Sequence, residues 1–343
     1  MAPALLRAFG LLLMLSAAAL ALSRAPDRPV ESLVARWAPA PSDFIELSGQ
    51  LVHLRDQGPR DDPHPVVLLH GIGSSLHTWE GWVGLLAARR RVVTLDLPGN
   101  GLTGPWSGAY AGRDYRAATL ARWLPELLDR LGLDRVVLGG HSFGGEVAWR
   151  VAALAPARVE RLVLVDATGA LCEPPPSRAG PGPPGLKPSG KATSACDPHA
   201  LPLVWRVARV PAIATIAEHV TPRALVAQAL ATAVADPARL GEAQIDRYFE
   251  LALRAGNRRA MLEAIREWEP GADAAALSTL ALPTLIVWGA ADRVVPPAVG
   301  AALQARIAGS RLVVVAGVGH LPQEENPARS VLPVREFLEP RRR

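Results

Sequence analysis

The strands predicted along this chain show two different patterns of apolar and polar positions. Residues 43–47 and 50–54 alternate one by one on either side of a Ser-Gly pair, which predicts a β-hairpin. Later segments are unbroken apolar runs, typical of strands buried on both faces of a parallel sheet. These runs are residues 66–69, 91–95, 135–138 and 161–165. Segments of helical periodicity, at 115–131 and 145–154, separate the last three of these apolar runs. This succession of strands and helices predicts a doubly wound α/β fold with a mostly parallel sheet.

The regular succession of strands and helices stops over residues 167–281. This segment predicts three helices, at 203–219, 222–234 and 244–268, and it arrives between the sixth and seventh predicted strands. The succession then resumes in the order strand, helix, strand, helix. These last elements are predicted at residues 284–288, 298–307, 311–315 and 326–338. One α/β core with a single helical insertion is therefore the expected organisation.

A serine between glycines marks the junction of the fifth predicted strand with the helix that follows it. The pentapeptide runs from Gly140 to Gly144, with Ser142 at its centre. Such a serine can occupy a sharp strand-to-helix turn that holds its hydroxyl above the sheet. Ser142 is therefore the candidate nucleophile, the alternative being an ordinary turn serine that caps the helix.

A carboxylate and a histidine follow the last two predicted strands. Asp292 comes after the seventh strand, and His320 leaves the eighth on a glycine-rich loop. A serine nucleophile needs a base of near-neutral pKa and a carboxylate that orients the imidazole of that base. Ser142, Asp292 and His320 can supply these three roles, in that chain order. Asp166, at the end of the sixth strand, is the alternative acid.

Backbone amides that could stabilise a tetrahedral oxyanion lie at two turns. The third strand runs into the turn His70-Gly71-Ile72-Gly73, and Phe143 directly follows the candidate nucleophile. Amides of both turns can point into one cavity. We expect Ile72 and Phe143 to be the donors, with Gly73 as the alternative to Ile72.

Other polar residues near these motifs are expected to be structural. Asp96 is expected to hold the Pro98-Gly99 turn, and His70 and His141 to brace their loops through hydrogen bonds. The remaining histidines are expected at the surface or in the inserted segment. They are His53, His64, His77, His199 and His219.

In this order the motifs resemble those of the α/β-hydrolase superfamily, over about residues 43–340 apart from the insertion. The resemblance rests on His70-Gly71-Ile72-Gly73, Asp96-Leu97-Pro98-Gly99-Asn100-Gly101, the serine pentapeptide, Trp288-Gly289-Ala290-Ala291-Asp292 and Gly319-His320. It implies an α/β-hydrolase fold whose insertion is a helical cap. The expected division is a signal peptide or anchor at 1–23, a linker at 24–41, the core at 42–168 and 282–340, and a cap with a Pro/Gly-rich loop at 169–281.

The resemblance implies a serine hydrolase that cleaves carboxylic esters or related acyl bonds through an acyl-enzyme, with no cofactor and no metal. Haloalkane dehalogenases and epoxide hydrolases of this fold use Asp as nucleophile and do not fit Ser142. Carbon–carbon bond hydrolases usually have Asn before the serine and Trp after the histidine, where this chain has His141 and Leu321. They stay an alternative, as do cofactor-free perhydrolases and ligand receptors of this fold. The Ala-, Leu- and Val-rich cap favours a small apolar acyl substrate.

Composition adds little evidence for a macromolecular partner. The 343 residues carry a formal charge of +5, but the basic residues are almost all Arg, with Lys only at 187 and 191. Together with abundant Ala and Pro, this bias indicates genomic base composition rather than phosphate binding. We expect no nucleic-acid partner and interpret the Arg runs at 89–91 and 341–343 as solvated charge.

The N-terminus and the cysteines indicate export. After Arg7, residues 8–23 are uncharged and consist mainly of Leu and Ala, which is short for a bilayer span but typical of a signal peptide. We expect a periplasmic or secreted protein. The alternative is that the N-terminal segment is not cleaved and anchors the protein, in which case this segment would be its sole contact with the membrane. Cys172 and Cys196 flank the Pro/Gly-rich loop, and an oxidising compartment would permit a disulfide between them. Two unrelated thiols are the alternative.

Overall fold

The computed structural model describes residues 25–169 and 209–339, together with the isolated positions Arg7, Gly10 and Met14. Within these residues eight strands form one sheet in the order β1-β2-β4-β3-β5-β6-β7-β8. The β1–β2 and β2–β4 pairs are antiparallel and all the others parallel, which confirms the predicted fold. The strands are β1 (Ser42–Leu47), β2 (Gln50–Gln57), β3 (Val66–Leu69), β4 (Val92–Leu95), β5 (Val136–His141), β6 (Val159–Val165), β7 (Thr284–Gly289) and β8 (Arg311–Val315).

Helices cover both faces of this sheet. Along β3, Val67 and Leu69 pack on one face and Val66 and Leu68 on the other, because successive strand residues point to opposite sides. The first face is covered by α3, α4 and α9, and the second by α2 and α12. The helices are α1 (Glu31–Trp37), α2 (Glu80–Leu86), α3 (Ala117–Arg130), α4 (Phe143–Leu154), α5 (Pro211–Ala217), α6 (Arg223–Ala233), α7 (Glu242–Ala252), α8 (Asn257–Glu267), α9 (Pro297–Arg306), α10 (Pro322–Glu325), α11 (Pro327–Ser330) and α12 (Leu332–Leu338).

Helices α5 to α8 lie between β6 and β7 in chain order, within the segment 169–281 that is called the cap below. Their bounds differ from the expectation. Residues 203–208 of the predicted helix 203–219 lie outside the described residues. The described part contains α5, which begins at Pro211, and proline suits a first helical position because it lacks an N–H. The predicted helix 244–268 is two helices, because Gly256 adopts a left-handed conformation (φ 85°) between α7 and α8.

The segment expected to be a linker is partly ordered against the cap. Residues 31–37 form α1, whose Leu33 is fully buried. Arg36 and the indole N–H of Trp37 both bond to the carboxylate of Glu250 in α7 (2.6 and 2.8 Å). The single helix predicted over 326–338 is interrupted at Val331. α11 begins at Pro327, and α12 begins at Leu332 with Pro333 as its second residue.

None of the helices in the described residues is both long and apolar enough to cross a membrane. Most of the expected signal segment, and both Cys172 and Cys196, lie outside the described residues. Export and the disulfide therefore stay predictions.

Candidate active site

Ser142 lies on the sharp turn between β5 and α4. Its φ of 52° and ψ of −119° are values that a non-glycine residue rarely adopts. The Ser142 N–H donates to Val165 O at the end of the neighbouring β6 (2.9 Å), which fixes the turn against the sheet. This is the strand-to-helix geometry that lifts a serine hydroxyl clear of both elements.

The glycines of the pentapeptide leave room for neighbouring backbone. A Cβ on Gly140 would lie 2.2 Å from Gly144 O, and one on Gly144 would lie 2.4 Å from His70 O. Neither approach is tolerable for a Cβ, so the turn requires glycine at both positions. The loop after β3 also meets the serine directly, because a Cβ on Gly71 would come within 3.1 Å of the Ser142 Cβ.

His320 and Asp292 form a buried hydrogen-bonded pair. Nδ1–H of His320 donates to Oδ2 of Asp292 (2.8 Å), while Asp292 Oδ1 accepts the amides of Val294 (2.8 Å) and Val295 (2.9 Å). Burial alone would raise the pKa of Asp292, but the His320 ring and the hydrogen bonds from Asp166 and Val295 hold it below its usual value. An ionised Asp292 fixes the tautomer of His320 in which Nε2 can accept a proton.

Asp166, the alternative acid, lies beside Asp292 at the end of β6. It is fully buried with a φ of 43°, and its Oδ1 accepts the Gly289 amide (2.9 Å). Burial, together with the neighbouring Asp292 carboxylate, raises the pKa of Asp166 well above its usual value. A neutral Asp166 can donate its proton to Asp292. The geometry therefore favours Asp292 as the partner of His320 and Asp166 as the support of Asp292.

The ligand atoms of Asp166, Asp292 and His320 lie within 4.8 Å of one another, a spacing that could suit a metal ion. The chemistry of the cluster does not. His320 Nδ1 carries the proton that it donates to Asp292, and both oxygens of Asp292 already accept hydrogen bonds. Because these atoms are engaged as hydrogen-bond partners, we assign the cluster no metal.

His141 joins the serine turn to the histidine loop. Its Nε2–H donates to the backbone O of His320 (2.6 Å), and the centroids of the two imidazole rings are 4.7 Å apart. Burial and the neighbouring His320 ring lower the pKa of His141 to about 3, so the ring is neutral at neutral pH. His141 thus braces the loop that carries His320 against the residue that precedes Ser142.

Within the part of the chain that the structure describes, two amides are left open, one in the loop after β3 and one at the serine turn. The Gly73 N–H donates to Asn100 Oδ1 (2.9 Å) and is therefore engaged. Among the described residues, the Ile72 N–H has no hydrogen-bond partner. Phe143 is the first residue of α4, where an N–H group has no partner within the helix. Of the two candidates in the loop after β3, the geometry therefore favours Ile72.

Asp96, at the end of β4, has a structural role. It accepts the amides of Leu76 and Leu102 (2.7 Å each) and the Nδ1–H of His53 (2.7 Å). The expectation that His53 and His77 lie at the surface is wrong, because both are buried and find partners inside the protein. Nε2–H of His77 donates to the backbone at the end of α1 (2.7 Å), and burial lowers the pKa of His77 to about 4.

Apolar cap residues lie over the loop after β3. The Sδ atom of Met261 in α8 lies 3.2 Å from the position that a Cβ on Gly73 would take. Ile72 packs against Ala214 of α5 and Leu262 of α8. The described part of the cap therefore contributes apolar surface next to the open amides.

The sequence matches the α/β-hydrolase fold family over residues 64–187 and 223–327, more than half of the chain. The chain belongs to the α/β-hydrolase family. The matched segments of this α/β hydrolase contain Ser142, Asp292 and His320 as well as the loop after β3.

Similar proteins are named for different hydrolase activities. A 2-hydroxy-6-oxononadienedioate/2-hydroxy-6-oxononatrienedioate hydrolase of Klebsiella pneumoniae is 31% identical over 282 residues, 80% of this chain and 86% of that protein. A pimeloyl-[acyl-carrier protein] methyl ester esterase of Aromatoleum aromaticum is 31% identical over 262 residues, 76% and 93% of the two chains. Among solved structures, Cfl2 of Burkholderia cenocepacia has a TM-score of 0.69 at 27% identity, covering 87% of this chain and 95% of that chain.

Two residues that hold loops of the candidate site in this α/β hydrolase were not predicted from the sequence. Asn100 lies within a motif that carries the resemblance, so a signal for it was present, but nothing in the pattern indicates that its side chain binds Gly73. Glu325 lies five residues after His320 and binds the amides of Gly319 and Leu321. Neither periodicity nor spacing marks it.

Proposed function

We propose that this α/β hydrolase is a serine hydrolase that cleaves carboxylic esters through an acyl-enzyme. The observation that carries the proposal is the buried His320–Asp292 pair, joined through His141 to a serine on a strained strand-to-helix turn. The esterase relative, 31% identical over most of both chains, supports ester chemistry.

Each group would have one role in the reaction. Ser142 Oγ attacks the acyl carbon while His320 Nε2 takes its proton, and Asp292 stabilises the resulting imidazolium. The amides of Ile72 and Phe143 would stabilise the oxyanion. The imidazolium then returns its proton to the departing alcohol. Water, activated by His320, completes the cycle by releasing the carboxylic acid and restoring the serine.

The substrate that we propose carries an apolar acyl group. Met261 and Leu262 of α8, with Ile72 below them, offer apolar surface beside the proposed oxyanion site. Burial of each further methylene against such a surface is worth about 0.8 kcal/mol, so kcat/KM should rise severalfold with each added methylene until the pocket is filled.

The test combines turnover with covalent labelling. We expect hydrolysis of p-nitrophenyl esters between two and twelve acyl carbons, and labelling of Ser142 by a fluorophosphonate in the folded protein. Ser142→Ala and His320→Ala should each lower kcat by roughly 10³-fold or more, with a non-additive double variant. Ser310→Ala is the matched control, because the Ser310 hydroxyl donates to the nearby backbone O of Gln304, away from the proposed catalytic groups. No labelling together with no hydrolysis would favour a ligand receptor instead.

A carbon–carbon bond hydrolase is the second candidate, because the Klebsiella relative, at equal identity, is named as a hydrolase of 2-hydroxy-6-oxo dioates and not of an ester. The same serine and histidine could serve it. Comparing kcat/KM for a vinylogous diketone acid with that for a simple ester decides between the two. A preference of more than about 100-fold for the diketone, close to 3 kcal/mol, would displace the ester proposal.

A further inference from the structure

The loop that carries His320 is held by a carboxylate outside the proposed catalytic groups. Oε1 of Glu325 accepts the amides of Gly319 (2.7 Å) and Leu321 (3.3 Å), the residues on either side of His320. Bonds from an amide to an ionised oxygen are stronger than bonds between neutral groups. The direction of the His320 backbone therefore depends on Glu325.

The second oxygen of Glu325 reaches the cap. Oε2 accepts the amide of Ala235 (2.7 Å), two residues beyond the end of α6. In return, the His320 amide donates to Ala233 O (2.6 Å). Loop and cap are in tight contact here, because a Cβ on Gly319 would lie 2.5 Å from Ala233 O. One carboxylate thus joins the histidine loop to the end of α6.

The same end of α6 is bonded to the loop of the acid. Arg293, the neighbour of Asp292, donates Nη2–H to Val234 O (2.6 Å). Residues 233–235 therefore contact both the loop of His320 and the loop of Asp292. A displacement of this part of the cap must either carry the two loops with it or break these bonds.

We propose that Glu325 is a positioning residue that ties the His320 loop to the cap, so that His320 is aligned only when residues 233–235 are in place. This inference rests on the proposed function for its catalytic consequence. Glu325 takes no proton in the reaction and acts through the backbone on both sides of His320. The cap would thereby set the geometry of the base, in addition to covering the site.

Two substitutions separate the two ends of this contact. Glu325→Gln keeps one acceptor oxygen and places an N–H donor at the other end, so it can bind the histidine loop or Ala235 but not both. Glu325→Ala binds neither. We expect kcat roughly tenfold lower for the Gln variant and roughly 100-fold lower for the Ala variant, with KM changed by less than about threefold, since misplacement of the base affects the chemical step. Glu336→Gln, on the exposed side of α12, is the matched control and should leave kcat unchanged.

Backbone amide hydrogen exchange provides a readout that needs no activity. Exchange should accelerate at 319–321 and at 235 in Glu325→Ala, and at only one of these places in Glu325→Gln. Kinetics are measured well below the Tm of each variant, so that loss of folded protein does not contribute. An unchanged kcat in Glu325→Ala, or unchanged exchange at both places, would overturn the proposal.

The two proposals fail in different ways. If wild-type protein neither hydrolyses esters nor reacts with the fluorophosphonate, the proposed function fails, while hydrogen exchange still decides whether Glu325 joins loop and cap. If wild-type protein is active and Glu325→Ala retains the wild-type kcat, the positioning role fails and the proposed function stands.

Discussion

At the scale of single residues, the pair Asp166 and Asp292 shows how two carboxyl groups can take different protonation states. Asp292 is ionised because His320 and two amides stabilise its charge, whereas burial and that same charge keep Asp166 neutral. The difference in environment, and not the residue type, assigns the acid that orients His320. This assignment has consequences for both activity and stability.

Replacement of each carboxyl group by its amide should affect activity very differently. Asp292→Asn should lower kcat by roughly 10³-fold or more, because the amide favours the wrong tautomer of His320. Asp166→Asn should lower kcat by less than about tenfold, since the Asn side chain can still donate to Asp292 and accept from Gly289. Steady-state kinetics of the two variants check this. The reverse pattern would move the acid to Asp166.

Asp166→Asn should also stabilise the folded protein, by an amount that depends on pH. Because its pKa is raised, Asp166 keeps its proton in the folded protein above about pH 4, where the unfolded chain releases it. The free energy of unfolding therefore falls as the pH rises. Asp166→Asn removes the effect, and each tenfold difference in proton affinity between folded and unfolded protein corresponds to about 1.4 kcal/mol. Urea unfolding should show a gain for the variant at pH 8 that shrinks towards pH 4. A pH-independent difference would contradict a neutral Asp166.

At the scale of elements, the loop after β3 owes its shape to a neighbouring loop. Asn100 Oδ1 holds the Gly73 amide, and Asn100 Nδ2–H donates to the backbone O of Leu97 and of Pro98 (3.4 and 3.3 Å). This side chain therefore fixes the turn that presents Ile72. It does so without contacting Ser142 in any hydrogen bond of the described residues.

Loss of this contact should weaken stabilisation of the transition state more than substrate binding. Asn100→Ala releases the turn, and we expect kcat roughly tenfold lower with KM within about threefold of wild type. Stopped-flow acylation by a p-nitrophenyl ester measures the affected step directly. Wild-type acylation in this variant would show that the loop keeps its shape without Asn100.

Elements with a strong local pattern could be predicted from the sequence, and those decided by distant contacts could not. The hairpin and the buried parallel strands follow from periodicity alone, and their bounds agree within a few residues. The break before α8 was missed because Gly256 lies within an otherwise helical pattern. Helix α1 is held in place by hydrogen bonds to Glu250, more than 200 residues away in the sequence. Likewise, burial of His53 follows from pairing with Asp96, which no local pattern reveals.

The candidate site divides in the same way. Ser142, Asp292 and His320 follow strand ends, and strand ends are visible in the sequence as the limits of apolar runs. The charge state of Asp166 depends on its distance from Asp292, which only the arrangement of β6 and β7 determines. Supports that act through side chains from another loop were therefore beyond prediction.

At the scale of the whole molecule, the prediction of export can be checked on native protein by intact-mass measurement. We expect a mature chain that begins near Leu22, and no reaction with a thiol reagent before reduction, because Cys172 and Cys196 should be linked. Such a link is worth about 3 kcal/mol by restriction of the unfolded chain. Samples reduced before alkylation serve as the control. Two thiols alkylated without reduction in exported protein would rule out the disulfide.

The position of β8 at one edge of the sheet has a consequence for how activity arises during synthesis. Among the described strands β8 pairs only with β7, and His320 follows β8 in chain order. A nascent chain therefore completes the serine turn long before it acquires the proposed base, and it stays chemically inert while most of the sheet is already built. Return of turnover after dilution from denaturant would accordingly report the docking of the final strand, and not the collapse of the core.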